Sequence, residues 1–258
     1  MGYLNYPFLL IFVASIIVML AASEIGRWLG ARGRRRGEER IATLEGAMFG
    51  LLALMIGFTF AMALSRFEGR RHAVLDEANA ISTAALRARL LPPPYNAETL
   101  KLLGEYAQLR VTVARHIPTL DELNTAVAKS NELQEMLWQH AMVGSAKADA
   151  SAQAWLLFDS LNKLFDAQRN RLAVFGNQVP NEVLLALYGI AALAIAFAGY
   201  AQGLRTRSSR IPVYLMGVLV CAVIILIEDL ESSYTGFIAV SQQPLLDAAG
   251  RIAGGAIP

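Results

Sequence analysis

The stretch that most constrains this chain runs from Gly46 to Leu91, GAMFGLLALMIGFTFAMALSRFEGRRHAVLDEANAISTAALRARLL. Ala47 to Leu64 carries no charge and is apolar enough to cross a bilayer. From Arg66 the stretch turns rich in charge and alanine, and no proline interrupts it before Pro92. The pattern predicts one helix that spans a membrane and continues into water. Whatever else the chain does, its fold must join a membrane part to an aqueous part through this helix.

Two stripes run along the membrane half. Gly46, Gly50, Ala53, Gly57, Ala61 and Ser65 recur at spacings of three or four and gather small residues on one face. Another backbone can approach such a face closely, the usual way helices associate in lipid. Phe49, Leu52, Ile56, Phe60, Ala63 and Phe67 form a bulkier stripe roughly 90° away. A close-packing face beside an aromatic face suits a symmetric bundle about an axis, with the bulky stripe lining a pore. The other reading is that the aromatics face lipid or neighbouring helices.

The run GFTFAMALSRFEGRRHAVLDEANAI resembles the end of the second membrane helix of bacterial bestrophins. There a Gly-Phe pair precedes an Arg, one or two aromatics and Glu-Gly-Arg; here these are Gly57-Phe58 and Arg66-Phe67-Glu68-Gly69-Arg70. The layout is closer still to the bestrophin-like membrane proteins grouped as a domain of unknown function. Glu77-Ala78-Asn79 matches that group, as do Arg169-Asn170-Arg171 ahead of Val179-Pro180. So do Asp229, Gly236-Phe237-Ile238 and Ser241-Gln242-Gln243-Pro244-Leu245. Phe67 stands where bestrophins usually have tryptophan, and the Asp-Pro-Phe near their last membrane helix is absent. The resemblance implies an oligomeric ion channel, a homo-pentamer passing inorganic ions, with its large domain in the cytosol.

The rest of the chain fits a multi-pass membrane protein. Of 258 residues, 55% are apolar, with a net charge of only +2. Tyr6 to Ala22 reads as the first span, an anchor and not a signal peptide, because no positive charge precedes it. A linker bearing Arg32, Arg34, Arg35, Arg36 and Arg40 follows. Between two membrane helices such a run fixes orientation and meets anionic lipid headgroups, where elsewhere it would suggest nucleic acid. After Pro92-Pro93-Pro94 come three helices of soluble character, to about Arg115, Met142 and Phe175. The last carries Trp155, Phe158, Leu161, Leu164, Phe165, Gln168, Leu172 and Phe175 at core-like spacing. Val183 to Ala201 and Ile211 to Ile227 read as the third and fourth spans, and Pro244 to Ala253 as a short amphipathic helix.

The expected fold is therefore all-α, four membrane helices with an extramembrane bundle between the second and third. Residues 1–65 hold the first two spans, 66–179 the bundle, 180–230 the last two spans, and 231–258 the tail. Basic residues crowd the two short loops, so the charge rule puts those in the cytoplasm and the bundle outside. The bestrophin resemblance implies the reverse, and the charge asymmetry carries the greater weight. The setting expected is a bacterial inner membrane.

No nucleophile elbow, phosphate loop, CxxC or HExxH occurs, and the three histidines are scattered. An enzyme, a metal site and a cofactor are not expected, nor is nucleic-acid binding by the nearly neutral bundle. Glu45, Arg66, Glu68, Arg70, Glu77, Glu228 and Asp229 lie near the expected membrane boundaries as a charged collar or pore mouth, either selecting ions or pairing structurally. Glu77, with Asp76 and Asn79, either lines a vestibule or buttresses the bundle. The alternative to a channel is a non-conducting scaffold or sensor whose helical domain binds a partner.

Overall fold

The computed structural model describes residues 6–33, 39–114, 120–146, 151–177, 179–205, 209–232 and 237–254. Arg34, Arg35 and Arg36 of the expected headgroup contact lie outside them. Eight helices are described: α1 Tyr6–Arg32, α2 Glu39–Ala88, α3 Tyr95–Ala114, α4 Leu120–Ala146, α5 Ser151–Gly176, α6 Asn181–Leu204, α7 Ile211–Glu231 and α8 Gln243–Gly254. No strand occurs among the described residues. Four segments contain stretches long and apolar enough to cross a membrane, within Leu9–Arg32, Thr43–Ala88, Trp155–Leu204 and Ile211–Glu231. In the third, the apolar part is α6.

The long helix forms as its sequence demands. α2 is 50 residues, unbroken by glycines that lie on its outer face, and about 75 Å long at 1.5 Å per residue. It ends at Ala88, three residues earlier than the spacing suggested. A turn closes it, with Leu90 N–H donating to Arg87 C=O and Leu91 N–H to Ala88 C=O, ahead of the prolines. α1, by contrast, outruns its expected end at Ala22 by ten residues. Glu24 does not stop it: its carboxylate takes Arg27 at 2.9 Å and the Tyr214 hydroxyl, while the Arg32 guanidinium stacks 3.5 Å over Trp28. Charges that are paired within the helix or with its neighbour leave no reason to fray.

The chain divides into two compact units, with one boundary inside α2 after Phe67. The first unit holds residues 1–67 and 178–239: α1, the first part of α2, α6 and α7. Here α1 and α6 are in backbone contact. A methyl group on Gly26 or Gly30 would strike the carbonyls of Ala196 or Tyr200, and one on Gly199 or Gly203 those of Ser23 or Arg27. Four glycines let the two backbones touch, which in lipid replaces the missing hydrophobic drive with dispersion contacts. Met19, Leu52, Leu187, Ile195, Cys221, Ile224 and Ile227 fill the core around them.

The second unit holds residues 68–177 and 240–258: the rest of α2 with α3, α4, α5 and α8. Alanines Ala73, Ala78, Ala84, Ala85 and Ala88 form α2's buried side. Leu103, Leu137, Leu157, Leu161 and Leu164 fill the space between the helices. The tail helix α8 lies on α3, burying Leu245 and Ala248 and bringing Ile252 against Gly104. One expectation fails in α5: Trp155 leads the core-like stripe yet is 74% exposed. The stripe turns away from the core as α5 begins, and Trp155 meets Phe158 edge-on, ring centres 6.5 Å apart.

Candidate functional site

The membrane half of α2 presents two faces. Of the bulky stripe, Leu52 and Ala63 are fully buried, and Phe49, Ile56, Phe60 and Phe67 pack against the same core. Within the single chain this stripe meets α1, α6 and α7 side chains, as the second of the two readings of the aromatics expects. Large side chains are what fill the spaces around a close α1–α6 pair, and spacing fixes which residues share a face but not what that face meets.

The small-residue face is the free one. Gly46, Gly50, Ala53, Gly57, Ala61 and Ser65 are all exposed, and a Cβ added at Gly46, Gly50 or Gly57 would meet nothing within 4 Å. Beside them Leu54 and Phe58 stand 55% and 65% exposed. At 100° per residue Gly50, Leu54, Phe58, Ala61 and Ser65 fall within about one quarter of the helix circumference. The result is an uncharged strip with one narrow, bulky band at Leu54 and Phe58. Leu51, Leu54, Phe58 and Met62 recur at spacings of three and four, a second bulky run that the reading of the aromatic stripe passed over.

The charged residues scatter to different tasks. Glu45 is half-buried and Glu68 exposed on α2. Arg66 lies 3.6 Å from Glu231, whose carboxylate also accepts the Val179 N–H at 2.9 Å. Glu228 interacts with the Tyr188 hydroxyl, itself 3.3 Å from Ser15 Oγ. Asp229 is 3% exposed, and its two oxygens accept the N–H groups of Phe237 at 2.7 Å and Ile238 at 2.9 Å. Arg70 and Glu77 are wholly buried in the second unit. Arg70, Glu77 and Asp229, expected in a charged collar, are each enclosed by their own unit.

Glu77 instead centres a buried polar network. Oε1 takes Arg110 Nε at 2.6 Å and lies 3.0 Å from the Tyr106 hydroxyl, while Oε2 takes Arg171 Nη1 at 2.6 Å. Gln168 Oε1 accepts from Tyr106 at 2.7 Å and from Gln134 at 2.7 Å, and Arg171 Nη2 donates to Gln242 at 3.0 Å. The network thus ties α2, α3, α4 and α5 to the segment leading into α8. Burial works against a charged Glu77, but the Arg110 and Arg171 guanidiniums prevail and hold its carboxyl below the usual range. Burial, seconded by the Glu77 charge, pushes the Tyr106 phenol well above the usual value. Of the two roles expected for Glu77, this is the buttress.

Among the described residues no group of three or more His, Cys, Asp or Glu could hold a metal ion. A 330 Å³ notch between α2 and α5 is lined by Asp76, Asn79, Thr83, Arg87, Ser160 and Lys163.

Residues 12–245 match the sequence profile of the Bestrophin-like domain. No curated protein matches the chain. A crystal structure of a bacterial bestrophin homolog from Klebsiella pneumoniae is similar over 97% of this chain and 99% of that one, with TM-score 0.68 and 16% identity. A structure of a membrane protein variant is similar over 98% and 99%, with TM-score 0.69 and 15% identity. The same homolog carrying an aspartate-to-alanine substitution covers 96% of each chain at TM-score 0.66 and 16% identity. At such identities the likeness is one of fold.

Proposed function

Because the chain belongs to the bestrophin-like family, an integral membrane fold, we propose that it is a homo-oligomeric ion channel whose axial path is walled by the free face of α2. The observation that carries this reading is the face itself. A transmembrane helix that gives its aromatic stripe to its own core keeps an uncharged strip of Gly50, Leu54, Phe58, Ala61 and Ser65 in reserve. Small residues let copies of α2 approach one another, and Leu54 with Phe58 then makes a ring narrow and apolar enough to gate by dewetting. Inorganic ions are the cargo, and a pentamer is the assembly the family resemblance implies. The bacterial inner membrane is the proposed setting, with the charge rule favouring an outward-facing bundle. Arg32, held over Trp28, and its neighbouring arginines meet anionic headgroups at the opposite surface.

The test is ion flux through purified protein in liposomes, native against Phe58→Ala. Flux that rises severalfold when the ring is removed supports a constriction at Phe58. Absence of flux from either protein, in several salts and from intact oligomers, would overturn the channel reading. A scaffold would then be favoured by the apolar hollow in the second unit, lined by Trp138, Met142, Trp155 and Phe158 with Trp155 openly displayed.

A further inference from the structure

We propose that the Asp229 carboxylate and the Phe237–Ile238 backbone it holds form a membrane-surface anchor, with Phe237 as the group that enters the lipid. Asp229, Gly236, Phe237 and Ile238 stand out together in the sequence, and the channel reading gives them no task. The structure supplies the link between the first and the last two. Asp229 sits in the last turn of α7, with its carboxylate almost wholly enclosed, and both of its oxygens are used on consecutive backbone N–H groups eight and nine residues on. Charge-assisted bonds of 2.7 and 2.9 Å to a desolvated carboxylate fix this backbone more firmly than neutral ones do. The neighbouring residue Ile238 turns inward onto the core of the first unit.

What this clamp holds is an outward phenylalanine. Phe237 is 76% exposed, as open as Leu185 and Ile211 near the ends of α6 and α7. Its backbone nitrogen is bonded to a residue only two positions, about 3 Å along the axis, from the end of a membrane-length helix. The ring therefore emerges at the level where hydrocarbon gives way to headgroups. That is where membrane proteins carry aromatic residues, because a flat apolar ring gains contact with lipid there. A second copy of this chain would need more than this ring to cover it: one phenyl buries at most about 200 Å², against roughly 800 Å² per partner in a stable interface. The clamp thus holds Phe237 and Ile238 at the depth of the α7 end, and it does so whether or not the oligomer conducts.

The experiment places a fluorophore on Phe237→Cys, in a Cys221→Ala background, in full-length protein in nanodiscs. Quenching is read with lipids spin-labelled either near the headgroup or at the chain end. The expected result is strong quenching by the shallow lipid and weak quenching by the deep one. In the added variant Asp229→Asn, which offers one acceptor oxygen for two N–H donors, most of the shallow quenching should be lost. Quenching by neither lipid, or disulfide formation between copies through the unlabelled cysteine, would overturn the anchor. Full quenching retained in Asp229→Asn would overturn the clamp. If Asp229→Asn does not yield folded protein, the label depth with Asp229 intact still decides whether Phe237 sits in lipid.

Discussion

Replacing Glu77 with glutamine should cost the second unit a large part of its stability. The substitution keeps the shape of the side chain but removes the charge that two buried guanidiniums share, and it turns an NH2 toward one of them. Arg110 and Arg171 each reach the carboxylate at 2.6 Å, and both side chains are less than a tenth exposed. Two hydrogen bonds to a charged group at about 1.5–3 kcal/mol each suggest a loss of roughly 3–6 kcal/mol. Breaking a buried pair by removing one partner gives about 3–5 kcal/mol, in agreement. Against a domain stability of about 5–15 kcal/mol this is a major fraction. Trp138 and Trp155 lie in α4 and α5, so denaturation of detergent-solubilised protein followed by tryptophan emission reports on the right helices. Adding Arg171→Met to Glu77→Gln should recover part of the loss, since it removes one of the two stranded charges. A Glu77→Gln variant within about 1 kcal/mol of native, or a double variant whose losses simply add, would refute the network as the bundle's buttress.

Two other predictions separate the roles of neighbouring features. Gly199→Val drives side-chain carbons into the Ser23 carbonyl and should lower the thermal midpoint of the membrane unit, by at least the roughly 1–3 kcal/mol typical of overpacking. Gly57→Val meets only open space in the single chain, so its melting should stay native while the oligomer weakens on size-exclusion with light scattering; equal melting losses in the two variants would contradict the assignment of a free face. In pH titrations of unfolding, Tyr106 binds its proton more tightly folded than unfolded, so its contribution is fully present below pH about 10 and is lost as pH rises beyond it. Tyr106→Phe should flatten that alkaline limb. Glu77 has the opposite sign: its folded carboxyl titrates low, so its contribution persists above the usual carboxylate range and disappears only as acid is taken below it.

How far the sequence could be read follows from which physical quantity each feature depends on. The all-helical fold with four membrane-length helices was legible because hydropathy and length decide it, and the long helix because no breaker interrupts residues 46–91. The close contact of α1 with α6 was half legible: Gly199 was visible among the small residues of its helix, but Gly26 and Gly30 passed for the charged end of a shorter span. Extending α1 depended on partners for Glu24 and Arg27, and the partner Tyr214 lies 190 residues away. The task of Glu77 was open for the same reason, since nothing local shows that Arg110 and Arg171 converge on it.

The two faces of α2 teach the most. In water a bulky apolar stripe and a small-residue stripe differ in cost, and periodicity would point inward with some force. In lipid both are tolerated outside, so the choice rests on shape alone. α1 and α6 satisfy each other backbone to backbone through their own glycines and offer no groove that needs the small face of α2. Phe49, Ile56 and Phe60 pack against the side chains of α1, α6 and α7, which gains dispersion contacts that glycine and alanine could not supply. With these three turned inward, the glycines face outward beside Leu54 and Phe58. Glycine and alanine gain little from lipid, and most from another backbone. This is why the free face of α2, and not its aromatic stripe, is the surface on which copies of this chain are expected to meet.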